Sequence, residues 1–288
     1  MDLAVIVVVQ ILYAVASLAL VSIGLAIIFG MMGVINFAHG EFLMLGGYAF
    51  ILALAQGVNI WIAMLIVAPL TVGVIGIVVE RLIIRHLYGR VIETVLATWG
   101  LSLFLIGFAA TVLGYNQKGA APPLGNVTIG AYHEGGYTFF VIGMTAVILI
   151  ALYCGLKYTR FGLIARGTMQ NAAMARALGV SVDRVYAITF GIGAALSGLA
   201  GAILAPIAGV LPDIGVTYVV KAFITVIGGG AVALTGTVVA SSLFGTVSQA
   251  VTFLSRPVVG EVALLIVAIV LLRLLPNGIT GRFFRRSL

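Results

Sequence analysis

Apolar residues dominate nine stretches of the chain, roughly 4–29, 38–56, 60–80, 92–114, 138–158, 186–209, 217–233, 237–254 and 260–276. Most approach the ~20 apolar residues that carry a helix across a bilayer, and most of the breaks between them are short. The pattern predicts an all-α polytopic membrane protein with about eight to nine transmembrane segments, some broken by glycine or re-entrant. It reads as a single transmembrane domain over residues 1–288. Within 217–254 the segment "VIGGGAVALTGT" interrupts the apolar run, which predicts either two short crossings or a re-entrant hairpin. The first run has no basic segment ahead of it, and apolar sequence resumes directly after it. It therefore reads as a span rather than a signal sequence.

The polar break "GVINFAHGEF" (33–42) sits between the first two runs. Gly33 and Gly40 relax the backbone there. A new helix is expected near Gly40, with Asn36 or His39 meeting its exposed amides. Glu41 would lie in the first turn, where the helix dipole favours negative charge. The three side chains are expected to satisfy one another and the new helix start. Two roles fit: a self-capped helix break, or a break that lines a cavity, since charge and irregular backbone at membrane depth face protein or water. A second glycine-broken run, 224–245, echoes 27–48. Broken segments in matching places point to a transport site, although two Gly-rich apolar runs also resemble each other by chance.

Composition agrees with the pattern. The chain is 62% hydrophobic and 8% charged, with mean hydropathy +1.27, whereas soluble domains carry about 25% charged residues. Its 37 glycines suit close helix approach in lipid. The net charge of +7 does not mark a nucleic-acid binder, because the basic residues fall into loop groups. Arg81, Arg85 and Arg90 form one group; Lys157, Arg160, Arg166, Arg176 and Arg184 form a second; Arg282, Arg285 and Arg286 form a third. The positive-inside rule places all three groups in the cytoplasm and 115–137, with one lysine, on the opposite side. The N-terminus is then outside and the C-terminus cytoplasmic. A single cysteine, Cys154, excludes an intrachain disulfide and a cysteine-built metal site.

Thr94, Thr98 and Ser102 recur every four residues on one helical face. Such a stripe bonds its own backbone or a neighbouring helix, or lines a path for a small polar solute. Thr225 joins these path candidates. Glu93 reads as an interfacial cap or a partner for Arg90; Lys221 reads as a snorkelling side chain, and Arg256 and Glu261 as interfacial. Gly193, Ser197, Gly201 and Ala205 make a small-residue face for tight helix contact, within this chain or with another. No nucleotide-binding glycine loop or metalloprotease motif is present, and His39, His86 and His133 lie in different loops. The chain thus reads as neither enzyme nor metal binder. The segment "TMQNAAMARALG" predicts a short amphipathic helix ended by Gly179. It either lies on lipid or docks into a cytoplasmic partner.

"GLAIIFGMMGVINFAHGEFLMLGGY", "RFGLIARGTMQNAAMARALGVSVDRVYAITFGIGAALSGLAGAIL" and "LLRLLPNGITG" resemble the permeases of Liv-type ABC importers, and the likeness covers nearly the whole chain. That family imports branched-chain amino acids, urea or short amides across the bacterial inner membrane. The resemblance implies a second homologous permease, two cytoplasmic ATPases that hold ATP and Mg, and a periplasmic or surface solute-binding protein. This chain would need no cofactor of its own. The resemblance makes 159–184 the ATPase-coupling segment, with Arg166, Asn171, Arg176, Gly179 and Asp183 as candidate contacts. Family members often carry an acidic residue near Asn171. "LAIIFG" and "LYGRVIETVLATWGLSL" look closer to the urea branch, and the hydroxyl stripe suits a neutral amide, so the expected substrate leans slightly to urea or amides. A branched-chain amino acid importer is the alternative. A solute channel or an ion-coupled carrier using Glu41 is the alternative from another class.

Overall fold

A computed structural model describes residues 2–130, 132–230 and 232–284. Arg285 and Arg286, assigned above to a cytoplasmic group, lie outside the described residues. Each of the nine apolar runs forms a helix: α1 (Asp2–Met32), α2 (His39–Ala55), α3 (Ile60–Leu82), α4 (Val91–Leu113), α5 (Gly136–Tyr158), α8 (Val182–Ala208), α9 (Ile214–Gly229), α10 (Ala233–Leu254) and α11 (Pro257–Leu274). Among the described residues, seven are long and apolar enough to cross a membrane, while α2 and α9 are shorter. Between α5 and α8 lie α6 (Arg160–Gln170) and α7 (Ala172–Ala177), and α12 (Gly278–Phe284) follows α11. The turn-rich segment 115–137 holds an element the apolar pattern does not signal. β1 (Asn126–Ile129) pairs antiparallel with β2 (Tyr132–Gly135), from Asn126 opposite Gly135 to Ile129 opposite Tyr132. The β-branched run Val127-Thr128-Ile129 suits a strand.

The chain packs as two compact units, residues 23–120 with 150–220, and residues 1–22, 121–149 and 221–288. In the first, α8 is central: 67% of its apolar window is buried, against 17–39% for the other six long helices. Small residues make this possible. Gly46 of α2 lies against the Gly198 backbone, Gly201 against the Leu43 backbone, Gly76 of α3 against Ala194, and Gly193 against Ile28 and the Gly24 carbonyl. The small face predicted on α8 thus packs within this chain, where α1 and α2 meet it. Phe42 and Phe190 meet edge to face at 6.0 Å within a cluster that includes Ile28, Val72 and Ala194. A π-helical stretch, Ala63–Val67, interrupts α3 just before Pro69. Proline has no N–H and its ring crowds the carbonyl four residues back, so the wider turn absorbs the defect.

In the second unit Leu18, Ala240, Phe244, Leu264, Ala268 and Leu271 form the core between α1, α10 and α11. The glycine-rich interruption in 217–254 ends α9 at Gly229, and Gly230 follows with φ +88°. The Gly229 and Gly236 backbones touch so closely that neither position has room for a Cβ. Lys221 does more than snorkel: its ammonium meets Glu261 at 2.5 Å.

Candidate functional site

α1 stops at Met32, Gly33 takes φ +65°, and α2 begins at His39. Asn36 turns the chain between them. Its side-chain oxygen accepts the Ala38 N–H at 3.1 Å and its carbonyl accepts the His39 N–H at 3.2 Å. The residue at the helix boundary is Ala38, which has no capping side chain. Asn36 therefore works two residues ahead of the cap position. Asn36, His39 and Glu41 are all fully buried.

Asn36 and His39 meet through their backbones, but the Glu41 carboxyl pairs with neither, which corrects the expectation that all three satisfy one another. His39 Nδ1 instead meets the Ser197 hydroxyl at 3.1 Å, joining α2 to the small face of α8. Neither oxygen of Glu41 finds a hydrogen-bond partner of good geometry, nor does Asn36 Nδ2. The Ser102 hydroxyl and the Glu41 backbone are polar neighbours of the carboxyl, without a well-formed hydrogen bond to it. The reason is directional: successive helical residues are about 100° apart, so His39 and Glu41 point to different neighbours.

Ser102 belongs to the predicted hydroxyl stripe, and α4 brings all of that stripe inward. Thr94, Thr98 and Ser102 are 5%, 0% and 7% exposed. Thr98 Oγ1 accepts the Phe37 N–H at 3.2 Å and lies 2.9 Å from the Thr94 carbonyl, to which it donates. Thr94 donates to the Arg90 carbonyl at 2.7 Å. The stripe bonds its own backbone and also clamps the break. Four helices thus position the site: α1 and α2 form the break, α4 supplies hydroxyls, and α8 supplies Ser197. Thr225 is buried in the other compact unit, where it donates to the Lys221 carbonyl at 2.8 Å.

The segment 159–184 holds two short helices and the start of α8. Thr159 caps α6 by accepting the Gly162 N–H at 3.0 Å, and Asn171 caps α7 by accepting the Met174 N–H at 2.9 Å. Asn171 therefore splits the helix predicted over "TMQNAAMARALG", because its extended backbone ends α6 and starts α7. Gly179 takes φ +85°, the left-handed stop expected after a helix. Arg166 Nε donates to the Gly162 carbonyl at 3.3 Å. Asp183 holds Arg85 at 3.5 Å and Arg176 at 3.6 Å, tying the loop before α4 to the end of this segment. Leu163, Met174 and Leu178 remain exposed.

Two features were not anticipated from sequence. Ser197 was read as packing and is also a polar partner of the break. Tyr88, in the loop between α3 and α4, donates to Glu80 Oε1 at 2.5 Å and packs against Tyr186 with ring centroids 4.9 Å apart. Burial first, then the Glu80 carboxylate, pushes the Tyr88 hydroxyl well above the usual tyrosine range. Among the described residues no cluster of His, Cys, Asp or Glu could hold a metal ion.

A family model described as the permease component of branched-chain amino acid transport systems matches residues 7–275. The chain belongs to this family. Escherichia coli (strain K12) has a similar protein, the high-affinity branched-chain amino acid transport system permease LivH, 32% identical and covering 93% of this chain and 92% of that one. BraD, a permease of the same description from Pseudomonas aeruginosa, is 28% identical over 93% of this chain and 92% of its own. A probable LivH permease of Methanocaldococcus jannaschii is 26% identical over 92% of this chain and 88% of its own. Among solved structures, a chain of PsaBC from Streptococcus pneumoniae in complex with Fab shares the fold, with TM-score 0.50, 16% identity and coverage of 92% of this chain and 89% of that one. The protein is thus a multi-pass inner-membrane permease subunit of an ABC importer, a component that works with ATPase and binding-protein components and is not itself a catalyst.

Proposed function

We propose that this chain is the permease of a branched-chain amino acid importer. The observation that carries the proposal is the match over nearly the whole chain to permeases described for branched-chain amino acids. The leaning to urea or amides finds no support among these relatives. The hydroxyl stripe that favoured it has ordinary work to do, since Thr94 and Thr98 spend their protons on backbone carbonyls. Binding-protein-dependent uptake in a strain lacking its own importers tests the substrate. Labelled leucine should accumulate and unlabelled urea in excess should not compete. Accumulation of urea, with leucine excluded, would reverse the assignment.

In this reading the break at 36–41, faced by Ser102 and Ser197, lies on the solute path. A second permease supplies the facing half, and two ATPases holding ATP and Mg drive the cycle from the cytoplasm. The N-terminus is outside and the C-terminus inside, and residues 1–288 form one permease domain. The segment 159–184 couples to the ATPases through Arg166, Asn171, Arg176, Gly179 and Asp183. The exposed apolar side chains of Leu163, Met174 and Leu178 support that role, since exposed apolar groups beside basic ones suit a protein partner. One experiment addresses orientation and docking together. In a Cys154→Ala background, a cysteine at the exposed Ala173 should react with an impermeant thiol reagent only from the cytoplasm, and the bound ATPases should protect it. Reaction from the outside would invert the topology, and reaction unchanged by the ATPases would remove 173 from the docking face.

A further inference from the structure

Glu80 ends α3 and is only 1% exposed, yet half of its carboxylate is unused. Oε1 accepts from Tyr88, and Oε2 meets no donor. Glu80 lines a cavity of about 420 Å³ together with Arg81, Arg85, Ser181, Asp183 and Arg184. Asp183 is already engaged by Arg85 and Arg176. Arg81 and Arg184 have no acidic partner among the described residues. A buried acceptor beside two uncommitted guanidiniums is complementary to a zwitterion, whose anion would take the arginines and whose N–H-bearing cation would take the carboxylate.

The position of the cavity narrows the choice of zwitterion. On α3, Leu70, Val74 and Val78 fall at four-residue spacing, are 63%, 60% and 48% exposed, and lead to Arg81 on the same face. On α8, Ile192 and Ile188 are 37% and 45% exposed and lead at the same spacing to Arg184. Two exposed apolar stripes therefore each end at a cavity arginine, the arrangement of acyl chains below a headgroup. We propose that the cavity binds the headgroup of a phospholipid carrying a primary ammonium, with its phosphate on Arg81 and Arg184 and its ammonium on Glu80 Oε2.

The test uses the assembled transporter in vesicles of equal phosphatidylethanolamine and phosphatidylcholine with matched chains. It is then extracted in mild detergent and its retained lipid is counted by mass spectrometry. A quaternary ammonium has no N–H to give Oε2, so the wild type should retain the ethanolamine lipid over the choline lipid by roughly tenfold, the factor for one hydrogen bond to a charged group. Glu80→Gln keeps an acceptor for Tyr88 and should bring that ratio to about one. Joint replacement of Arg81 and Arg184 by glutamine should lower retention of both lipids together. Several outcomes overturn the proposal: no preference in the wild type, which needs no variant to fold; a preference that survives Glu80→Gln; displacement of the lipid by an equal concentration of soluble phosphoethanolamine; or retention seen only after the ATPases are stripped away, which would give the cavity to a protein partner.

Discussion

A Gly46→Ala permease is expected to be strongly destabilised, whereas Gly100→Ala is expected to be tolerated. The two changes add the same single carbon. At Gly46 that carbon meets the Gly198 backbone of the central helix, and backbone cannot rotate out of the way as a side chain can. Overpacking typically costs about 1–3 kcal/mol, and this site should lie at or beyond the upper end. At Gly100, on an exposed face of α4, nothing lies within 4 Å of the new carbon. There alanine should gain up to ~1 kcal/mol of helix propensity. Thermal unfolding of the two purified variants in detergent, with their membrane yields, measures the contrast. A Gly46→Ala protein as stable as the wild type would show that α2 and α8 do not meet through Gly46 and Gly198.

Glu41→Gln is expected to give a stable permease that transports poorly. The wild-type carboxylate is fully buried, with neither oxygen hydrogen-bonded, so removing its charge should not lower the melting temperature. An unsatisfied buried polar group costs about 1–3 kcal/mol, which a solute or water entering the site would relieve. Loss of that interaction should reduce ATP-driven uptake roughly threefold to tenfold, the scale of a single hydrogen bond. The pH profile of uptake should stay where it is, because the energy comes from ATP on the partner subunits. Near-complete loss of uptake, with an altered pH profile in what remains and a protein that still folds, would mean that Glu41 carries an ion and that the chain is a secondary transporter.

Local features were legible in the sequence and distant pairings were not. Nine apolar runs became nine helices because bilayer thickness and backbone hydrogen bonding leave a long apolar run few other options. The break at Gly33–Glu41 was visible for the same reason: its polar residues stand out against their neighbours. The partners of those residues were hidden. His39 meets Ser197 across 158 positions and Glu41 faces Ser102 on another helix, and no periodicity within either segment encodes such meetings. The spacing of Gly193, Ser197 and Gly201 announced close packing without saying which helix would arrive. At Asn171 the information was local but misweighed. Asparagine favours the start of a helix over its interior, and here it divides one predicted helix into two. Substrate choice was least legible, because hydroxyls on a helix serve their own backbone as readily as a solute.

The central claim is that the buried break beside Ser102 lies on the path of an ATP-driven permease. Ser102 is 7% exposed in the structure, so a cysteine placed there in a Cys154→Ala background should react slowly with a small thiol reagent at rest. During turnover with ATP and solute-loaded binding protein the path must open, and the reaction should speed up severalfold, with substrate in excess slowing it again. A cysteine at 102 that reacts equally at rest and during turnover, or stays unreactive while uptake proceeds, would contradict the account.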